Sequence, residues 1–417
     1  MKKRPELLAP AGNLEKLKMA ILYGADAVFI GGQQFGLRSR AGNFGYDEMA
    51  EGVEFAHARG AKVYVAANMV THEGDAEGAG AFFCKLRDIG IDAVIVSDPA
   101  MIEICLTDAP GLPVHLSTQA SATNYETLRF WKDEGLERIV LAREVSMEEI
   151  KEMKRQVDVE IEAFIHGAMC ISYSGRCTLS NHMALRDANR GGCAQSCRWK
   201  YGFFEADELL TPEMEARDEE PFSMSSVDLS MVRHIPDLVD AGVDSLKVEG
   251  RMKSIHYVAT VCNVYRQVID AYCDDPEGFM FDPAWEEEIW KAAQRELASG
   301  FYYGVPTEKE QLFGARRAIP QYVFAARVIS YDAATGMATL EQRNHFRSGE
   351  EVEFFGPGFI RFTQRIEELV DEADQPIEAA SQAMMTVRVK VKQPVATDFI
   401  MRKRKAGVAS KPLPSPC

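Results

Sequence analysis

Short aliphatic and β-branched runs alternate with amphipathic stretches through the first two-thirds of the chain. The runs predict strands at ELLAP (6–10), AVFIGG (27–32), KVYVAANM (62–69), AVIVSD (93–98), VHLSTQ (114–119), RIVLARE (138–144), VEIEAFIHG (159–167) and SLKVEG (245–250). Helical patterns such as NLEKLKMAILYG and NYETLRFWKDEG lie between them. One phrase marks the junctions: GADAVFIGG from Gly24, GIDAVIVSD from Gly90, GLERIVLAR from Gly135 and GVDSLKVEG from Gly242. Each puts Gly where a helix ends, in the left-handed position that a residue without Cβ takes most readily, and starts a strand at once. Helices feeding short apolar strands predict a parallel sheet. Eight such units predict an α/β fold, a (β/α)8 TIM-like barrel over residues 1–300, a fold that takes about 250 residues. A doubly wound open sheet is the alternative, but no G-x-G-x-x-G follows the first strand to support its dinucleotide-binding form.

Two segments break the rhythm. The seventh unit carries a cysteine-rich insertion at about 168–228, and loops of such length are usually functional. Its acidic stretch ADELLTPEMEARDEE (206–220) is expected to be a solvated hairpin tip. After a linker at 301–318, QYVFAARVISYDAATGMATLEQRNHFRSGEEVEFFGPG and TVRVKVKQPV alternate with period two between turns. They predict a small antiparallel β-barrel at 319–402, followed by a basic, disordered tail at 403–417.

Composition narrows the class. The 417 residues are 46% hydrophobic and 26% charged, an ordinary globular balance. No apolar run reaches the ~20 residues of a membrane span, and MKKRPELLAPAG lacks the apolar core of a secretory signal. A cytoplasmic protein with reduced thiols is expected. The formal net charge of −16 means that any nucleic-acid partner needs a local basic patch. Two runs offer one: Arg176, Arg186, Arg190, Arg198 and Lys200, and Arg402 to Lys405.

Four of the nine cysteines, Cys170, Cys177, Cys193 and Cys197, are spaced C-x6-C-x15-C-x3-C within the insertion. A reducing compartment disfavours disulfides, and surroundings such as YSGRC and NRGGC do not suit independent core cysteines. Zinc sites favour C-x2–4-C knuckles, from which the x6 spacing departs. Four thiolates around a [4Fe–4S] cluster tolerate irregular spacing, so that cluster is the favoured occupant and zinc the alternative. The insertion starts past the C-terminal end of a barrel strand, where such barrels keep their active sites.

Several predicted strands are polar where a covered parallel strand should be apolar. Side chains alternate along a strand, so Glu162, Phe164 and His166 are expected on one face, as are His115, Ser117 and Gln119, and Lys247, Glu249 and Arg251. Arg143 and Glu144 end the sixth strand and Asn68 the third. One reading is a set of buried ion pairs. The other is a pocket in which Arg143, Lys247 and Arg251, with Arg38, Arg40, Asn68 and Gln119, bind an anionic substrate, while His115, His166, Glu162 and Glu249 handle protons.

The blocks ELLAPAG, YGADAVFIGG, HLSTQA, EAFIHGAMCISYSGRC, CRWKY and SLKVEGRMKS resemble the U32 peptidase-like family over nearly the whole chain. The chain looks most like its prephenate-dependent tRNA hydroxylases, which install 5-hydroxyuridine at the wobble position. That resemblance implies a [4Fe–4S] cluster on the four cysteines, prephenate as co-substrate and tRNA as partner, with no membrane. Relatives hydroxylate a ribosomal RNA cytidine. The family name also suggests a collagenase-like peptidase, but no G-x-S-x-G elbow or H-E-x-x-H is present. A metal-stapled RNA-binding scaffold without catalysis is the remaining alternative. Tyr173 and Trp199 offer faces on which an unstacked base could rest.

Overall fold

The structure is a computed structural model that describes residues 1–36, 42–202, 223–307, 310–311 and 321–405. Arg38 and Arg40, the acidic stretch 206–220 and the tail from 406 lie outside the described residues.

Seven strands run in order around a barrel: β1 (Glu6–Pro10), β2 (Ala27–Gly31), β3 (Lys62–Ala67), β4 (Ala93–Val96), β5 (Val114–Leu116), β6 (Arg138–Val140) and β7 (Glu160–Ala168). After β8 (Asp228–Ser230) comes β9 (Ser245–Val248), which pairs in parallel with both β7 and β1 and closes the ring. The predicted TIM-like barrel is thus present, with β9 as its eighth staves-wise member and β8 outside the ring, antiparallel to the end of β7. The four junction glycines hold φ of 107°, 92°, 92° and 79° at Gly24, Gly90, Gly135 and Gly242. Each gives the left-handed turn that a side chain would oppose.

Helices α1 (Leu14–Leu22), α2 (Tyr46–His57), α3 (Ala79–Ile89), α4 (Pro99–Asp108), α5 (Tyr125–Asp133) and α6 (Met147–Gln156) follow the first six strands. A short α7 (Leu179–Ala184) lies in the insertion, and α8 (Ile235–Asp240), α9 (Ile255–Asp274) and α10 (Pro283–Ala292) complete the shell. Asn13, Asp98, Asn124, Ser146, Ser254 and Asp282 each cap a helix with a side-chain oxygen. One apolar core joins the outer faces of the strands to these helices. A smaller one, with Leu8, Phe29, Tyr64 and Ile95, fills one side of the barrel interior.

The expected linker begins as part of the barrel. A short β10 (Leu297–Ala298) pairs with β8, and the Tyr302 hydroxyl donates to the Phe164 carbonyl at 2.6 Å. Beyond it, β11 (Tyr322–Asp332), β12 (Met337–Gln342), β13 (Phe346–Arg347), β14 (Glu351–Gly356), β15 (Ile360–Arg365), β16 (Leu369–Val370), β17 (Ala379–Ala380), β18 (Thr386–Lys390) and β19 (Ile400–Arg404) form the second domain. Seven of these make one antiparallel sheet, in the order β15-β14-β19-β11-β12-β18-β16. No backbone ladder joins β15 to β18 or β16 among the described residues, so the predicted β-barrel is a curled sheet. A side chain spans the gap: Gln364 Nε2 donates to the Lys390 carbonyl (2.8 Å), and its Oε1 accepts from the Lys392 amide (2.9 Å).

Of the basic run at 402–405, Lys403 and Arg404 belong to β19 rather than to the expected tail, and Arg402 is turned inward, away from any RNA. Arg402 sits fully buried in β19, paired with Glu288 of α10 and Glu353 of β14, and Lys403 pairs with Glu350 at 2.7 Å. A buried guanidinium must be matched, and its partners here come from both domains. Lys291 and Arg361 also reach this cluster. Tyr23 adds a further bridge, its hydroxyl within 3.0 Å of the Phe355 carbonyl and 2.9 Å of that of Asp398.

Candidate active site

A cavity of about 160 Å³ opens at the C-terminal ends of the barrel strands. Its floor is Phe29, Ile95, Phe164 and Lys247; its walls include Asn68, Ser117, Gln119, Arg143, Glu249 and Arg251. The insertion forms the roof, and all four clustered cysteines lie in it. The structure thus brings together ten of the residues singled out in the sequence: the four thiols and Asn68, Gln119, Arg143, Lys247, Glu249 and Arg251.

The others go elsewhere. Glu162 lies below the floor, fully buried, with Lys247 Nζ at 2.7 Å and Arg138 Nη1 at 3.4 Å. Arg138 also donates to Glu6 at 2.5 Å and Glu160 at 2.9 Å, and the Tyr64 hydroxyl to Glu6 at 2.6 Å. His115 points into the same interior, edge-on to Tyr64 with ring centroids 4.9 Å apart. Burial, then the charges of Arg138 and Lys247, hold its imidazole well below the usual histidine range. For Glu162, placement favours the ion-paired reading over proton transfer with a ligand in the cavity; His115, buried and neutral, does not line the cavity.

His166 is the clearest correction. In the β7–β9 ladder Phe164 faces Lys247 and His166 faces Val248, so two steps on one strand match one on the other. Such a bulge breaks the two-residue alternation. His166 therefore leaves the face shared by Glu162 and Phe164 and packs outward against α9, its Nδ1 3.2 Å from the Tyr265 hydroxyl. Complete burial depresses its pKa to about 3 and keeps it neutral.

Arg143 lies over the Phe164 ring, with 3.9 Å from guanidinium carbon to ring centre. Its Nη1 donates to the Ala168 carbonyl (2.8 Å), and Nη2 lies 3.5 Å from Glu249. Its Nε is buried with no hydrogen-bond partner among the described residues, as is Oε1 of Gln119. Arg251 is set by two glycines. A Cβ on Gly31 would fall 1.8 Å from its Nη1, and one on Gly12 would fall 2.2 Å from its carbonyl oxygen. The glycines of ELLAPAG and AVFIGG therefore make room for this arginine at the rim.

Two anchors hold the thiol-bearing roof, and neither was singled out for that role in the sequence. The Glu144 carboxylate accepts from the Ser174 amide and hydroxyl, both at 2.7 Å. The Asn189 side chain clasps the Cys177 backbone, accepting from its amide and donating to its carbonyl at 3.0 Å each, while the Asn189 carbonyl accepts from Val70. A polar residue in a Gly-rich loop gave no sequence signal of its eventual partner. The Cys177 sulfur accepts the Leu179 amide at 3.4 Å. The Cys197 thiol is raised, first by burial and further by Cys170, Cys193 and Cys177, with Arg198 opposing. The four sulfurs thus share one electrostatic neighbourhood. Their donor set suits a thiolate-bound group, and the amide hydrogen bond is of the kind that tunes iron–sulfur centres. Among the described residues, no three His, Cys, Asp or Glu side chains, the four cysteines included, are grouped as they would be around a metal ion.

A closed barrel with a cavity lined by charged side chains and thiols among apolar ones, at the C-terminal ends of its strands, has the layout of a barrel enzyme. The chain belongs to peptidase family U32: residues 12–312 match that family, and residues 320–402 match the peptidase family U32 C-terminal domain. It is 53% identical over 403 residues to tRNA hydroxylation protein P1 of Bacillus subtilis (strain 168), covering 97% of this chain and 96% of that protein. It is 39% identical over 272 residues to a 23S rRNA 5-hydroxycytidine synthase of Escherichia coli (strain K12), covering 65% of this chain and 40% of that one. A collagenase of Porphyromonas gingivalis (strain ATCC BAA-308 / W83) is 31% identical over 401 residues, covering 93% and 95%.

Proposed function

We propose that the protein is an RNA-modifying enzyme that hydroxylates a pyrimidine, C5 of the wobble uridine of tRNA, with prephenate as co-substrate and a [4Fe–4S] cluster on Cys170, Cys177, Cys193 and Cys197. The observation that carries this reading is the meeting of four thiols with Arg143, Glu249 and Arg251 around one cavity, in a chain 53% identical to a tRNA hydroxylation protein. A bound cluster would supply redox-active iron at the cavity roof. Thiolates serving it belong in a reducing cytoplasm, and no described helix is long and apolar enough to cross a membrane.

The chain's own residues then divide the work. Arg143 and Arg251 bind the carboxylates of prephenate, and the unmatched Nε of Arg143 gives a second donor for two-point contact. Lys247 is already paired with Glu162, so it sets the potential of the floor more than it grips a ligand. Glu249, 3.5 Å from Arg143, is the carboxylate on the wall and the group placed to take a proton. Asn68 and Gln119 face the edge of a base that has left its stack, since ring chemistry needs an extruded nucleotide.

The test is anaerobic purification with iron, sulfide and zinc analysis, alongside nucleosides from a deletion strain. The reading expects about four irons per chain and a hydroxylated pyrimidine that vanishes on deletion and returns with the gene. A lone zinc, or unchanged nucleosides, overturns it. The 31% identity to a collagenase favours one second reading, proteolysis. Gelatin cleavage by protein stripped of iron would support that instead.

A further inference from the structure

Large apolar side chains are unevenly spread over the surface. Of the 15 that stand exposed among the described residues, Ile171, Tyr173, Met183, Leu185 and Trp199 come from the insertion and Met252 from the turn after β9. Isolated exposed apolar residues are ordinary, but five on one insertion that also lines the cavity make that insertion a candidate interaction surface. Leu185 is the extreme case, at 93% exposure.

This leucine is held in place by its backbone. It ends α7 in the left-handed conformation (φ 50°), a position usually taken by Gly or Asn. Its amide donates to the Asn181 carbonyl (3.1 Å) and that of Arg186 to the Ser180 carbonyl (3.2 Å). The excursion that carries it starts and ends in the cavity lining, at Cys177, Leu179 and Ser180 on one side and Ala188 and Cys193 on the other. Arg186 is its neighbour, and Arg176 and Lys200 stand exposed on the same insertion, in a chain of net charge −16. A bulky apolar tip beside Arg186, on an insertion that also exposes Arg176 and Lys200, suits an anionic polymer whose bases are stacked but not locked in a duplex.

We propose that Leu185 enters the base stack of an RNA loop and fills the space left when the target pyrimidine swings into the cavity. The proposal rests on the RNA reading above and adds the means by which the base leaves its neighbours. Extrusion must overcome stacking, and proteins that unstack bases insert apolar side chains between them. A second copy of this chain is the competing occupant of the rim.

The experiment uses the intact, iron-loaded protein and a stem-loop RNA with 2-aminopurine on the 3′ side of the target uridine. Wild type should raise its fluorescence. Leu185→Ala should lose at least half of that rise at saturation, and Leu185→Phe should keep it. Turnover of the stem-loop (kcat/KM) should fall about tenfold in Leu185→Ala, while turnover of an unstructured trinucleotide and the iron content stay unchanged. Equal fluorescence and turnover in wild type and Leu185→Ala overturn the proposal, as does an equal loss on both RNAs. A dimer in sedimentation that Leu185→Ala abolishes, with RNA fluorescence unmoved, also overturns it. A fluorescence rise lost in Leu185→Ala, with no nucleoside modified by wild type, sinks the hydroxylase reading and leaves the wedge standing.

Discussion

Two regions of the barrel stand one above the other and are built from the same strands. Below Lys247, the interior holds Glu6, Arg138 and Glu162, each within bonding distance of a partner of opposite charge. Above it, Arg143 and Gln119 present buried polar atoms without a hydrogen-bond partner among the described residues, under a roof of four thiols. The lower region follows the rule that buried charge is matched within the protein. The upper region is matched more loosely, with Arg143 and Glu249 at 3.5 Å, and it keeps donors and acceptors open beside the cavity. The difference separates charge paired inside the barrel from charge that lines the cavity.

Removing a thiol should separate them most sharply. Cys177→Ser is expected to lose bound iron and all detectable RNA hydroxylation while the barrel still folds, as seen by metal analysis, nucleoside mass spectrometry and circular dichroism. Full iron content in that variant would remove Cys177 from the ligand set. The next largest effect lies below the floor. Glu162→Ala leaves Lys247 and Arg138 buried without their shared partner, and should cost about 3–5 kcal/mol in urea unfolding. A loss under about 1 kcal/mol would show that water reaches this region. Arg143→Ala is the counterpart above: stability within about 1 kcal/mol of wild type, as for a single hydrogen bond, but kcat/KM lower by roughly 10- to 100-fold. The reverse pattern, stable activity and a fragile fold, would move Arg143 into the structural set.

The smallest effect is in pH. His166 and His256 are both buried and depressed to about 3. Between their unfolded value near 6.5 and that folded value the unfolded chain binds more protons, so stability is full above about 6.5 and falls as pH drops. Each histidine contributes a slope of up to about 1.4 kcal/mol per pH unit. His166→Gln should remove one share of that slope in unfolding curves at pH 5 and 6; an unchanged slope would mean the ring is reached by solvent.

The barrel was legible because its signals are local. A left-handed glycine and an adjacent apolar run sit side by side in sequence, and the cysteine spacing is visible without any partner. What failed was set by distant pairing. Nothing near His166 announces a bulge, because it arises in the match to Val248. Arg402 read as part of a basic run that could meet RNA because its partners, Glu288 and Glu353, belong to another helix and another strand. The split of polar strand residues between matched interior and open cavity was unreadable for the same reason: Glu162 and Glu249 look alike until Lys247 and Arg143 are placed beside them.

The position of β19 has a consequence for how the molecule is made. It is the last described strand, yet it lies inside the sheet between β14 and β11, and its Arg402 neutralises Glu288 on the barrel. During synthesis the ring can close once residue 248 has left the ribosome, but the buried carboxylate of α10 then has only Lys291 beside it until Arg361 and, last, Arg402 arrive. Each nascent chain therefore passes through a stage with a finished ring and a carboxylate on the barrel that is only partly matched.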